Sequence, residues 1–110
     1  MYGWSEHAHY ATAKAGLIGL VRSLAVELGP RGIRANTVIP GLIESPQSLD
    51  AVNSLGPDGL RAAGDCIPWG RVGRPDEVAA VINFLLSDDA SYVSGQAITV
   101  DGALTVAMRD

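Results

Sequence analysis

Ile33-Arg34-Ala35-Asn36-Thr37-Val38-Ile39-Pro40-Gly41 is the stretch that decides the fold. It is rich in β-branched residues, which suit a pleated, half-buried backbone. The pattern predicts a strand over 33–39 that finishes at Pro40-Gly41, because proline cannot donate to a central ladder. Just upstream, Gly29-Pro30 stops a helix and Arg31-Gly32 turns the chain. The helix itself is predicted over 10–28. Leu17, Leu20, Val21, Leu24 and Leu28 recur there at three- and four-residue spacing and form one apolar stripe. Ala11, Ala13, Ala15, Gly16 and Gly19 keep part of its surface thin. Such a face admits a helix or ligand close to the backbone, or simply packs closely. A long helix, a tight turn and a buried-looking strand form the second half of a βαβ crossover.

Downstream, 42–68 is the least regular segment, with Pro46, Gly56, Pro57, Gly59 and Gly64. Weak helical signal occurs at 48–55 and 60–63. A segment of this length in a compact domain is either a functional loop or a surface excursion, and it is read here as a substrate lid. Residues 69–74 lead into a second long helix. Pro75 suits its first position, and Asp76 and Glu77 suit the positive end of its dipole. Val78, Val81, Ile82, Leu85 and Leu86 supply its apolar face, and Ser87-Asp88-Asp89 ends it. A second strand is predicted over 96–100, and Asp101-Gly102 turns the chain into a short tail. Residues 1–9 are polar and aromatic, contain no strand and lack the basic-then-apolar pattern of a signal peptide.

Two strands and two long helices do not close an α/β domain. A parallel sheet must be covered on both faces, and a two-stranded sheet is marginal alone. The expectation is therefore α/β architecture and the C-terminal part of a larger α/β domain. Its parts are a helix and strand over 1–41, the lid over 42–68, and a helix and strand over 69–110. The 110 residues have the size of one small domain, and 47% hydrophobic with 18% charged residues is a globular composition. A net charge of −4 with no basic cluster gives nucleic-acid binding no electrostatic support. Cys66 is the one cysteine, so an internal disulfide is ruled out, and without Cys or His at ligand spacing no metal site is expected. No apolar run is long enough to cross a bilayer, and a cytoplasmic location is expected.

The chemistry lies in Tyr10-Ala11-Thr12-Ala13-Lys14, where the single lysine follows a tyrosine by four residues. On a helix these positions share a face, about 6 Å apart along the axis. An ammonium there favours the phenolate and lowers a pKa that is ordinarily about 10. A tyrosine tuned that way exchanges a proton with a substrate oxygen. The spacing alone also describes an exposed helical lysine beside a packed tyrosine. In open α/β sheets, ligands bind beyond the carboxyl ends of the strands. Pro40-Gly41 marks one such end, Tyr10-Lys14 begins a helix at the same edge, and the lid departs from there. Other candidates carry two readings each. His7 and His9 are substrate contacts or, with more weight, solvated residues. Trp4 and Trp69 line a pocket or pack. Glu44 faces substrate or is a solvated lid charge. Asp101 is read as a turn residue before a metal ligand.

Taken in order, five segments carry a family resemblance. They are Tyr-x-x-x-Lys, Gly-Ile-Arg-Ala-Asn-Thr-Val-Ile-Pro-Gly, a variable lid, Gly-Arg-Val-Gly-Arg-Pro-Asp-Glu-Val-Ala, and Tyr-Val-Ser-Gly-Gln-Ala-Ile-Thr-Val-Asp-Gly. Together they resemble the C-terminal portion of a classical short-chain dehydrogenase/reductase, over nearly all 110 residues, which implies the C-terminal part of a Rossmann-type doubly wound parallel sheet. The resemblance implies reversible hydride transfer between NAD or NADP and a small alcohol or ketone. It implies Tyr10 as acid/base, and Lys14 as the group that lowers its pKa and holds the nicotinamide ribose. It implies Pro40 and Gly41 as the turn near the nicotinamide, Ile43 as a backbone contact to the carboxamide, and Ser45, where the family usually has Thr, as a hydroxyl contact. Arg71, Arg74, Asp76 and Glu77 fit the family pattern as a helix start and its surface charges. A homo-oligomer is implied for the full-length form. The family's glycine-rich phosphate loop has no counterpart in this sequence, and its catalytic Ser and helical Asn fall at positions upstream of Met1. Neither Ser5, too close to Tyr10, nor Asn36, in a strand, replaces them. A second expectation is therefore a non-catalytic remnant or an oligomerisation partner.

Overall fold

A 21-residue helix, α1 (Ala8–Leu28), and a 12-residue helix, α3 (Pro75–Leu86), carry most of the regular structure. The computed structural model describes residues 8–46 and 56–107, with the backbone alone for 8–10. Between and after the long helices come β1 (Thr37–Pro40), α2 (Gly56–Gly64), β2 (Ala97–Val100) and α4 (Leu104–Ala107). Turns of 3-10 helix at Gly29–Arg31 and Asp88–Ala90 follow α1 and α3. Strands β1 and β2 pair in one sheet. The Thr37 N–H donates to Gln96 O and the Gly41 N–H to Val100 O, both at 2.9 Å. The constant offset between donor and acceptor makes the pair parallel. The chain thus holds α/β architecture with a short parallel sheet. Among the described residues, no helix is long and apolar enough to cross a membrane. These residues divide into two compact units, one of 8–37 and 85–98, the other of 38–46, 56–84 and 99–107.

In the first unit, α1 runs into the 3-10 turn Gly29–Arg31, which stops where Gly32 takes a left-handed φ of 75°, open to glycine without steric cost. Its N–H donates to Gly29 O at 2.9 Å, and the Ile33 N–H donates to Leu28 O at 3.2 Å. Val21 is buried and Leu24 and Leu28 are half-buried, so the expected stripe is covered in the C-terminal half of α1. Leu17 and Leu20, at 48% and 54% exposure, are not covered. The places where a Cβ would stand on Gly16 and Gly19 have no neighbour within 4 Å. Gly95 is the close approach instead: its added Cβ would lie 3.3 Å from the Ala25 Cβ.

The strand expected over 33–39 begins only at Thr37. The four residues before it bond largely through side chains. The Arg34 guanidinium donates from Nη1 to Leu85 O and, at 2.9 Å, to Ala90 O, and from Nη2 to Ser87 O at 3.3 Å. The Ala35 N–H donates to Ser94 Oγ at 3.2 Å, and its carbonyl accepts from the Gly95 N–H at 2.7 Å. Asn36 donates from Nδ2 to Val93 O at 2.9 Å and accepts at Oδ1 from the Gln96 N–H at 3.1 Å. Polar side chains in this segment take the groups that a regular ladder would use.

In the second unit the core is Leu60, Ile67 and Leu104. The weak helical signal at 60–63 is realised as α2, longer than expected despite its glycines. Gly64 at its end packs on the following turn, where an added Cβ would meet Arg71 Cα at 3.0 Å. The expected helical signal over 48–55 lies outside the described residues. The chain after β1 makes one isolated parallel bridge, Ile43 to Gly73. The tail forms a short helix where a plain turn was expected. Asp101 explains it, since its carboxylate accepts from the Ala103 N–H at 3.0 Å, the Thr105 N–H at 2.9 Å and the Thr105 hydroxyl at 2.6 Å.

Candidate functional site

Tyr10 lies in the first turn of α1, and the helix runs unbroken through Lys14. The backbone therefore holds the two positions one turn apart, as the spacing required. Lys14 is half-buried. Both residues belong to the first unit, whereas Pro40, Gly41, Ile43 and Ser45 belong to the second. Each half of the expected site stands by itself. Trp4, Ser5 and His7 lie outside the described residues, and His9 is described only as backbone.

Beyond β1, Pro40 is exposed and Gly41 half-buried. A Cβ on Gly41 would stand 2.6 Å from Asp101 Cβ and 3.0 Å from its Cα, so only glycine lets the chain pass here. Asp101 is thus the post against which the turn leans. Burial pushes its carboxyl up, but the hydrogen bonds from Thr105 and Ala103 outweigh burial and hold it below the ordinary carboxylate value. It acts as a helix cap, where the sequence reading expected only a turn residue. No group of three His, Cys, Asp or Glu placed to hold a metal occurs among the described residues.

Ile43 and Ser45, both half-buried, follow. The Gly73 N–H donates to Leu42 O and the Glu44 N–H donates to Gly73 O, both at 2.9 Å. The bridge uses the groups on either side of Ile43 and neither the N–H nor the C=O of Ile43 itself. Gly73 in turn sits at the end of a turn fixed by charge. Glu77 accepts from Arg71 Nη1 at 2.7 Å and Nη2 at 2.8 Å, and from the Arg74 N–H at 2.9 Å. The last bond is the backward reach of a capping box at the start of α3. The hydrogen bond from Arg71, joined by the Arg74 N–H, pulls the Glu77 carboxyl from 4.5 to about 2. Arg74 Nε also donates to Asp76 Oδ1 at 3.1 Å. These four charged residues build a helix start, as expected. The three-fold use of Glu77 was not read from the sequence. A Glu two positions after the Pro that begins a helix was the signal that would have found its backbone bond.

Trp69 is 70% exposed. Its ring lies under the Arg71 guanidinium at 5.9 Å, and its Cβ would be 3.3 Å from a Cβ on Gly102. A shallow cleft of about 250 Å³ opens between α2 and the turn, lined by Glu44, Leu60, Arg61, Asp65, Arg71 and Val72 among others. Two acidic and two basic residues on its walls give it no single sign. Glu44 lies on this wall and is exposed.

The family model described as Enoyl-(Acyl carrier protein) reductase matches residues 1–105. The 3-oxoacyl-[acyl-carrier-protein] reductase FabG of Thermotoga maritima is 45% identical over 106 residues, which cover 96% of this chain and 42% of that protein. The 3beta-hydroxysteroid dehydrogenase 1 of Eggerthella lenta is 42% identical, over 94% of this chain and 39% of that protein. Among solved structures, the acetoin dehydrogenase of Enterobacter cloacae superposes with a TM-score of 0.79 at 32% identity, over 98% of this chain and 40% of that one. The chain spans about two fifths of the length of these relatives.

Proposed function

This chain belongs to the short-chain dehydrogenase/reductase family, and from that premise we propose that it carries the proton-transfer half of an NAD- or NADP-dependent oxidoreductase acting on an alcohol or ketone. The observation that carries the reading is the helical placement of Tyr10 and Lys14, one turn apart on the unbroken α1. In this reading Tyr10 gives a proton to the carbonyl oxygen, or takes one from the alcohol. Lys14 favours its phenolate by charge and reaches the ribose hydroxyls. The family pattern supports this reading by assigning the ammonium of Lys14, the hydroxyl of Ser45 and the backbone of Ile43 to the nicotinamide half of the cofactor. Pro40 and Gly41 form the turn beside it. The bound nicotinamide supplies or accepts the hydride. For the pyrophosphate half, this sequence offers no glycine-rich cradle.

The excursion over 42–68, with α2, serves as the substrate lid. Relatives named for such different molecules stand at similar identity, 45% and 42%, so overall identity does not choose the substrate class. The mixed charges of the cleft beside α2 do not choose it either. The test is Tyr10→Phe in the complete protein. Turnover is expected to vanish with cofactor binding largely intact, and substantial residual activity would refute the assignment.

A second reading has its own observation. Leu17 and Leu20 on α1, together with Leu86 on α3, are left exposed by the described residues. By itself the 110-residue chain then acts as an assembly partner that does not turn over substrate. Fluorescence titration with NAD(P)H separates the two. The isolated chain is expected to bind no tighter than the millimolar range, and micromolar binding would remove this second reading.

A further inference from the structure

We propose that Glu77 is a positioning residue, whose carboxylate fixes the 71–74 turn and through it the backbone of 42–44. The consequence for cofactor binding rests on the reading in which Ile43 and Ser45 face the cofactor.

Three observations lead there. Glu77 accepts three hydrogen bonds, all from the turn: two from the Arg71 guanidinium and one from the Arg74 N–H. A bidentate pair fixes orientation as well as distance, which a single point contact does not. Arg71 closes the turn further by donating from Nη1 to Val72 O at 3.2 Å. Gly73, inside that turn, then makes both hydrogen bonds of the bridge, accepting from the Glu44 N–H and donating to Leu42 O. Packing ties the same groups together. A Cβ on Gly73 would meet Ile43 Cδ1 at 2.7 Å and lie 4.0 Å from Glu77 Oε1. The Ile43 side chain therefore rests on the turn beside the carboxylate that orders it. Two residues after Pro40, the segment has left the β1–β2 sheet, and among the described residues this bridge continues to hold its backbone.

Glu77→Gln keeps the size of the side chain and one acceptor but loses the charge. Arg71→Met removes the guanidinium and leaves the bond from the Arg74 N–H. In the 110-residue chain, amide hydrogen exchange of Glu44 and Gly73 should speed up by about five-fold or more in both variants. The Thr37 and Gly95 amides, bonded in the other unit, should change by less than about two-fold. Unchanged exchange at Glu44 in both variants overturns the proposal. An equal rise at Thr37 and Gly95 in both also overturns it, because the pair would then be a general stability element. In the complete protein, either variant should raise the cofactor KM by more than it lowers kcat. A selective exchange effect with an unmoved cofactor KM would strip Glu77 of the positioning role. Tyr10→Phe measured alongside keeps the two questions apart. Turnover that survives it strikes the functional reading, while the exchange rates still judge the latch.

Discussion

At the start of β1, Arg34 and Asn36 spend their side chains on backbone groups 51 to 60 residues away in sequence. Past its end, the chain is held by contacts of another kind: Gly41 against Asp101, Gly73 under Ile43, and the carboxylate of Glu77 on its turn. The first set is partly buried and uses a guanidinium and an amide, and no carboxylate takes part in it. The second set is sterically tight and electrostatically exposed. One short strand is therefore secured by chemistries that respond differently to substitution and to pH, and the more adjustable of the two lies on the side of the expected cofactor contacts.

Arg34→Ala should have the largest effect on stability, because it strips three carbonyls of a charged donor. We expect a loss of about 3 kcal/mol in unfolding free energy by chemical denaturation. Arg34→Lys should recover only part of it, since one ammonium cannot satisfy three carbonyls in the geometry of a planar fork. A loss below about 1 kcal/mol for the alanine variant would show that the start of the strand does not depend on this clamp.

Gly41→Ala should follow, at about 2 kcal/mol, since its methyl group meets the Cβ and Cα of Asp101. Gly73→Ala sharpens the comparison. Its methyl meets only the Cδ1 tip of Ile43, which can turn aside, so the cost should stay below about 1 kcal/mol. Equal costs for the two glycines would contradict the steric account.

The smallest effect should be a pH dependence confined to the second set. The Glu77 carboxyl falls from 4.5 to about 2 on folding, so the folded chain favours its ionised form. That contribution is complete above about pH 4.5 and is lost as pH falls through about 2. The denaturant midpoint should therefore decline between pH 5 and 2 less steeply in Glu77→Gln than in the parent chain. Asp101, also lowered, keeps some slope in both. Parallel slopes would mean that the ion pair contributes nothing to the folded state.

Local pattern made much of this molecule legible. The periodicity of apolar residues and the Gly-Pro and Ser-Asp stops placed α1 and α3 within two residues of their observed ends. The second strand, expected over 96–100, begins one residue later. The strand at 33–39 was misjudged at its start because β-branched composition cannot reveal that Arg34 and Asn36 would divert their segment to distant carbonyls. α2 was understated because three glycines inside it read as loop, whereas one of them, Gly64, is where the helix packs on the turn. Of the candidate site, the helical spacing of Tyr10 and Lys14 was legible, since it depends only on one turn of helical backbone.

The sequence by itself determined the two long helices, the order of the helices and strands, the helical spacing of Tyr10 and Lys14, and the family. Those follow from spacing and capping within a few residues, where the physics is local. Only the tertiary structure decided why Gly41 must lack a side chain, what Arg34 grips and how Glu77 reaches the backbone near Ile43. Such contacts join residues tens of positions apart. They come from closing the chain and filling space, and no short-range pattern records which distant atoms will arrive.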